Sequence, residues 1–420
     1  MTCKEPASRW KEKKGEYGAM RKMACVLAVL CCLALGAAAQ EKSVPRAVSS
    51  AIRDHHPNPF THVRETDFEK AVQALDGAWE ELCADGEAGF ALRELVASLG
   101  DEHTTVLCPR EQERILPFFV LKFEDEYILV QAQQEEAAWT GMALEAIGGV
   151  PAEEIARRMD PYISPETEGW RDTLTAEEMT SVSMLMHVGA MQEPEQATVT
   201  VRDPRTGQTQ TADVKTLDGG YDFSTSVIMP MAQTLMQSGF YYATLLEGGE
   251  LFIQYNLCQD NPQMPMADFA KALREQLAGM QRPEKILVDL RNNGGRNSEV
   301  IRPLLDLLSE LRDQGSRIYA LIGDRTFSSG VLNAQDLRDM GATLVGEPTG
   351  GVRGFGELTT VELGEGYVLS CSTKDFSGGK EHRPLEPDRR VEKGERGNGL
   401  RIKILLSETG QRRLPPGRAA

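Results

Sequence analysis

The chain has 420 residues, 41% of them hydrophobic and 26% charged, and a formal charge of -17. That length exceeds one ordinary core and the composition is globular, so two or three folded domains are expected. So acidic a body argues against nucleic acid or an anionic membrane surface as partner.

Arg21 and Lys22 precede an apolar run from Met23 to Leu35, and Ala37, Ala38 and Ala39 offer a small-residue cleavage site. This pattern predicts a signal peptide over 1–39 and a secreted or extracytoplasmic protein. Read from Met20, the leader is conventional. Its apolar run is short for a membrane span, so membrane contact is expected only through an uncleaved signal. The leader carries seven Lys/Arg against three Glu, which leaves the remainder near -21.

Residues 40–110 read as an N-terminal helical region. Ser43 to Phe60, with its Pro and His residues, reads as an extended lead-in with His55 and His56 in solvent. Helical steps follow at Ala71, Leu75, Trp79 and Leu82, then at Leu92, Leu95, Val96 and Leu99, and Gly100 ends the second run. Residues 111–216 alternate in short strands, at 116–122, 127–131, 198–202 and 209–214, with a short helix at 152–158. They predict a small β-rich module. Residues 217–248 read as a linker.

From Leu251 strands and helices alternate. Strands are predicted at 251–255, 286–290, 318–322 and 343–345, and helices at 266–280, 299–314 and 330–340. The pattern implies a largely parallel sheet covered by helices over 249–420, with a late hairpin at 358–361 and 367–372. The mature part has four cysteines, Cys83, Cys108, Cys258 and Cys371, without CxxC pairing or zinc spacing, so free buried thiols are expected.

The chemistry concentrates in two places in this last region. One is the glycine turn Gly294 and Gly295 after the strand that ends in Asp289 and Leu290. The other is Ser328 at the head of the helix that follows a strand. A hydroxyl at a helix start beside glycine amides is the arrangement of a nucleophile and an oxyanion hole. The amide of Ser329 and that of Gly294 or Gly295 are the candidate donors. Ser329 is the alternative nucleophile, and a plain N-cap is the bland reading of Ser328. There is no HExxH and no phosphate loop, so neither a metal nor a cofactor is expected.

Four ordered segments resemble the carboxy-terminal-processing (tail-specific) serine peptidases and their tricorn-core relatives. They are Leu99 to Thr104, Leu287 to Gly295, Thr326 to Gly330 and Leu344 to Gly351. The resemblance implies a crotonase-like (ClpP-like) α/β catalytic domain and makes the β-rich module similar to a degenerate PDZ-like region. It also implies an exported serine peptidase acting on peptides or unfolded protein through an acyl-enzyme on Ser328.

The processing peptidases place a lysine base directly after the last segment, where this chain has Val352 and then Arg353, neither able to accept a proton. Lys374, on the late strand, is a distant substitute. The tricorn relatives instead imply a histidine base in the segment matching Asp101 to Thr104, hence His103. Their orienting carboxylate precedes a Pro-Asp pair, hence Glu381 before Pro387 and Asp388. Asp101 reads as a turn residue. The alternatives are an inactive peptide-binding member of the same fold, marked by Val352, and a crotonase-like acyl-thioester enzyme.

Overall fold

A computed structural model describes residues 43–109, 113–123, 125–218, 227–228, 239–246, 248–390 and 412–413. The expected signal over 1–39 lies outside the described residues, as does most of the 217–248 linker.

The N-terminal helices are α1 (Val44–His55), α2 (Glu65–Asp85) and α3 (Ala88–Ala97). The expected extended lead-in is therefore helical. Pro45 falls in the first turn, where its missing N–H has no intrahelical acceptor to lose. Gly86 ends α2 in the left-handed conformation at φ 77. His56 is buried rather than exposed. The three helices pack through Val48, Ile52, Phe68, Leu92 and Val96 onto a three-stranded sheet. In that sheet β1 (Thr105–Leu107) pairs antiparallel with the second arm of the late hairpin, Tyr367–Asp375. The late hairpin thus joins the N-terminal helices rather than the main parallel sheet.

The middle module is antiparallel, as its alternating pattern requires. Strands β2 (Phe118–Phe123), β3 (Glu126–Ala132) and β4 (Ala143–Ile147) precede helices α4 (Ala152–Met159), α5 (Glu168–Glu178) and α6 (Val182–His187). Strands β5 (Gln196–Arg202) and β6 (Thr209–Lys215) close it. Its core holds Phe118, Leu129, Ile147, Ile155, Met179, Leu185 and Val199. Helix α5 escapes the sequence pattern because its buried side chains are Thr173, Thr175 and Ala176 instead of a leucine stripe, and α6 because its buried Val182, Met184 and Leu185 span less than two turns.

The last unit runs β7 (Tyr241–Leu245), β8 (Leu251–Tyr255), α7 (Met266–Ala278), β9 (Lys285–Asp289), α8 (Arg302–Asp313), β10 (Arg317–Ile322), α9 (Ser329–Asp339) and β11 (Thr343–Gly346). The hairpin β12 (Phe355–Gly364) and β13 (Tyr367–Asp375) follows, then β14 (Arg389–Arg390). Its seven-stranded sheet has the order β14-β11-β10-β9-β8-β7, extended at the β7 edge by Arg412–Arg413. Strands β8, β9, β10, β11 and β14 are parallel, and β7 is antiparallel.

Side chains alternate across this sheet. Ile286 and Val288 enter the core with Leu273, Leu304, Leu308 and Leu337 from the helices, while Leu287 packs with Phe252 and Leu321 on the opposite face. The architecture is mixed α/β, and the carboxyl ends of the parallel strands all point to one edge. That edge is where open α/β sheets bind ligands.

Candidate active site

Two neighbouring strand ends build the site. After β9, Asp289 is buried and bonds Arg291 through Nε at 2.9 Å and NH2 at 2.7 Å, which fixes the exit of the chain. Asn293 is fully buried. Its Nδ2 donates to the Tyr255 carbonyl at 2.9 Å and its Oδ1 accepts the Gly295 N–H at 2.9 Å. After β10, the Thr326 hydroxyl donates to the Leu290 carbonyl at 2.9 Å and accepts the Gly323 N–H at 3.1 Å. The two loops are therefore stapled together.

Ser328 follows at the tip, with φ 52 and ψ -126, immediately before α9. This is a sparsely populated conformation for a residue with a Cβ, and such strain costs ~1–3 kcal/mol. It makes a sharp strand-to-helix elbow that lifts the side chain off the sheet. The side chain caps nothing, so the plain N-cap reading does not describe this serine. The adjacent hydroxyl of Ser329 donates to the Arg296 carbonyl at 2.7 Å and is buried, which removes it as the exposed hydroxyl.

The imidazole of His103 arrives from the opposite side. Its Nε2 lies 2.8 Å from Ser328 Oγ, although the residues are 225 positions apart. The loop that carries it is held by Asp101, which accepts the His103 backbone N–H at 3.0 Å, the Thr104 hydroxyl at 2.6 Å and His56 Nε2 at 3.1 Å. The ring of His103 stacks on Phe327 at 4.7 Å, and Phe327 stacks in turn on Trp170 at 4.1 Å. Asp101, expected as a turn residue, is buried and gathers these three donors around its carboxylate.

The carboxylate beside His103 is not Glu381. Glu381 is 70% exposed and pairs with Arg383 at 2.5 Å. The group facing His103 Nδ1 is Glu166, with Oε1 at 3.3 Å, and Asp101 Oδ1 stands at 3.7 Å. Both are within ion-pair range, yet neither is aligned as a hydrogen bond to Nδ1. Glu166 precedes α5 of the middle module and reaches across to the last unit. Its Oε2 accepts the Val352 N–H at 2.9 Å, Thr167 donates to the Gly350 carbonyl at 2.7 Å and also caps α5. The backbone of Val352, at the place where the resemblance implied a lysine, therefore holds the acid that faces the histidine.

No pattern in the sequence marks Glu166. It lies in a Pro- and Glu-rich stretch whose helix has no apolar stripe, and only the fold brings it across. Lys374 is engaged elsewhere, 3.2 Å from Glu357 and over the Phe376 ring. Arg353 donates to the Phe376 carbonyl at 2.8 Å.

Charge is concentrated here. Burial alone would lower the His103 pKa, but the carboxylates of Asp101 and Glu166 outweigh it and raise the value to about 10. For Asp101, burial acts upward, yet His103, His56 and Thr104 overcome it and hold the carboxyl well below the usual range. Glu102 is the neighbouring carboxyl. Burial, followed by the charge of Glu166, pushes its carboxyl up to about 8.

Around Ser328 the glycines take different parts. A Cβ on Gly295 (φ 95) would stand 2.6 Å from Ser328 Cβ and 2.8 Å from the Ser329 nitrogen, so only glycine fits there. Its own N–H, however, is taken by Asn293 Oδ1, which corrects its expected place as an oxyanion donor. Above Gly294 there is open space within 4 Å. The Ser329 N–H, in the first turn of α9, has no intrahelical acceptor. Among the described residues, Asp101, His103 and Glu166 are also the group whose ligand atoms come close enough to hold a metal ion, all within 4.8 Å of one another.

No protein-family model matches the chain, and no curated protein matches it. Solved structures do. The chain is similar to mature CPAF complexed with lactacystin at a TM-score of 0.57 and 13% identity, over 86% of this chain and 97% of that one. Mature CPAF crystallised alone gives a TM-score of 0.55 at 14% identity, over 83% and 92%. The photosystem II D1 C-terminal processing protease covers 86% of this chain and 96% of that one at 14% identity, with a TM-score of 0.43. These neighbours belong to the carboxy-terminal-processing and tricorn family. The fold of this chain is the one seen in mature CPAF, and it spans nearly the whole of that protein. Among the described residues no helix is long and apolar enough to cross a membrane.

Proposed function

We propose that this chain is a serine peptidase that hydrolyses peptide bonds through an acyl-enzyme on Ser328. The observation that carries this reading is the 2.8 Å contact between His103 Nε2 and Ser328 Oγ at a strained strand-to-helix elbow. The shared fold with mature CPAF supports it.

In this reading the neutral His103 accepts the hydroxyl proton as Ser328 Oγ attacks the scissile carbonyl carbon. Negative charge grows on the carbonyl oxygen, which takes hydrogen bonds from the N–H groups of Ser329 and Gly294. Losing one such donor costs ~3 kcal/mol of transition-state stabilisation. The N-terminus of α9 favours the same charge. His103 then returns the proton to the leaving amine, and water hydrolyses the ester by the same steps in reverse order. Glu166, with Asp101 behind it, orients the ring and stabilises the imidazolium.

In this reading the 249–420 region is the crotonase-like catalytic domain, its sheet extended by Tyr241–Leu245, and the 111–216 module is a degenerate PDZ-like unit. Substrates are peptides or unfolded protein outside the cytoplasm, as the leader at 1–39 suggests. Val352 does not mark a dead site in this reading, because a different residue supplies the base. Ser328→Ala should abolish cleavage of an unfolded protein without lowering the melting temperature; retained cleavage would remove Ser328 from the mechanism.

A further inference from the structure

We propose that Asp101, His103 and Glu166 form a Zn2+ site at the back of the imidazole, and that zinc bound there switches the site off. The metal site stands on its own geometry; the inhibitory consequence rests on the peptidase reading.

Three ligand atoms converge, two from the Asp101–His103 loop and one from Glu166 ahead of α5. Nδ1 of His103 is 3.3 Å from Glu166 Oε1 and 3.7 Å from Asp101 Oδ1, and all three ligand atoms lie within 4.8 Å of one another. Tetrahedral zinc with bonds of about 2.0–2.2 Å spaces its ligands roughly 3.3–3.6 Å apart. The two separations from Nδ1 are thus close to those the ion needs, and that between the two carboxylate oxygens is no more than 4.8 Å. Their side chains are 8%, 5% and 0% exposed for His103, Glu166 and Asp101. Nδ1 is a buried ring nitrogen without an aligned hydrogen bond, and it points at both carboxylates.

Each ligand is also held from behind, as metal ligands are. Glu166 keeps its second oxygen on the Val352 N–H, and Asp101 keeps its Oδ2 on His56 and Thr104. One imidazole and two carboxylates, with a fourth position left for water, suit zinc. Calcium and magnesium prefer six or more oxygens, so they fit poorly.

The chemical consequence follows from the ring. Zinc takes the lone pair of Nδ1, and any proton there is displaced. The proton left on the ring then sits on Nε2, which can only donate to Ser328 Oγ. The base is lost by reversible ligation: the Zn–Nδ1 bond forms as the Nδ1–H bond breaks, the displaced proton leaves to solvent, and no electron is transferred.

The test uses the full chain carrying Ser328→Ala, stripped of metal and titrated with zinc chloride by calorimetry. One zinc per chain is expected. Adding Glu166→Gln should weaken that binding by at least about tenfold, while calcium chloride gives no heat in either protein. Cobalt(II) in the Ser328→Ala chain should show the visible absorption of a tetrahedral nitrogen and oxygen site, a reading that needs no second variant to fold. Absence of zinc binding, equal affinity in both variants, or octahedral cobalt spectra overturns the site. If the native chain cleaves peptide and saturating zinc leaves its rate unchanged, the switch is overturned. If the native chain proves inactive, the zinc and cobalt titrations still decide the site.

Discussion

Replacing Glu166 by Gln separates the two effects of this residue on His103. The carboxylate lies 3.3 Å from Nδ1. Two unit charges at that distance interact by ~5 kcal/mol at an effective dielectric of about 20, and a neighbouring opposite charge typically moves a pKa by about 1–3 units. Loss of this one carboxylate should therefore lower the His103 pKa from about 10 by roughly two units, with Asp101 still in place. General-base catalysis needs the neutral ring. In the native protein kcat/KM should rise with pH until it levels near 10, since only about one molecule in a thousand holds a neutral ring at pH 7. In Glu166→Gln the rise should level near 8 instead, and the plateau should fall by about 10²–10⁴-fold because the imidazolium loses its stabilising partner. The assay is cleavage of a fluorogenic unfolded protein between pH 6 and 11. A native profile already flat at pH 7, or a variant whose midpoint does not move, refutes the reasoning. The same linkage applies to stability. A histidine raised in the folded state contributes stability that is complete below pH 6.5 and is lost as pH climbs through about 10, so the melting temperature should fall across that window.

Other outcomes follow from neighbouring residues. Glu102 has its folded pKa raised to about 8, so folding is penalised increasingly between pH 4.5 and 8. Glu102→Gln should be the more thermostable protein, by a margin that grows across that range and is constant above it; a margin independent of pH contradicts this. Glu381→Gln should leave kcat/KM within about twofold of the native value, since exposed ion pairs contribute little; a loss of a hundredfold would restore Glu381 to the site. Ser328→Gly should be more stable than Ser328→Ala by about 1 kcal/mol in urea unfolding, because glycine tolerates φ 52. Equal stability would show that the elbow is unstrained.

The parallel sheet was readable in the sequence because its signals are local. Apolar strands such as Leu251 to Tyr255 and the leucine stripe of α8 announce themselves within a few residues. The elbow was readable for the same reason: a serine between a strand and a helix, beside two glycines. His103 was reached through motif resemblance, and its distance to Ser328 depends wholly on how the N-terminal loop folds back.

What escaped was set by tertiary packing. Val44–His55 does carry a short apolar face of Val44, Val48 and Ile52 that covers the three-stranded sheet, but Pro45 within it and Pro57 and Pro59 after it make the stretch read as extended. Helix α5 is held by small polar residues in the interface. Glu166, just ahead of it, is defined by contacts with Val352 and His103 that no spacing in the chain encodes. The offset from Pro387 and Asp388 pointed to Glu381, but the ordered loop there turns that side chain to solvent and onto Arg383. An amide such as that of Gly295 looks available in a glycine motif until the buried Asn293 side chain is placed.

The central claim is that His103 activates the hydroxyl of Ser328 and no other. A fluorophosphonate reagent followed by peptide mass mapping tests it directly. The native protein should gain a single adduct on Ser328, and His103→Ala should gain none while remaining folded. An adduct on Ser329, or equal labelling with and without His103, would contradict the account.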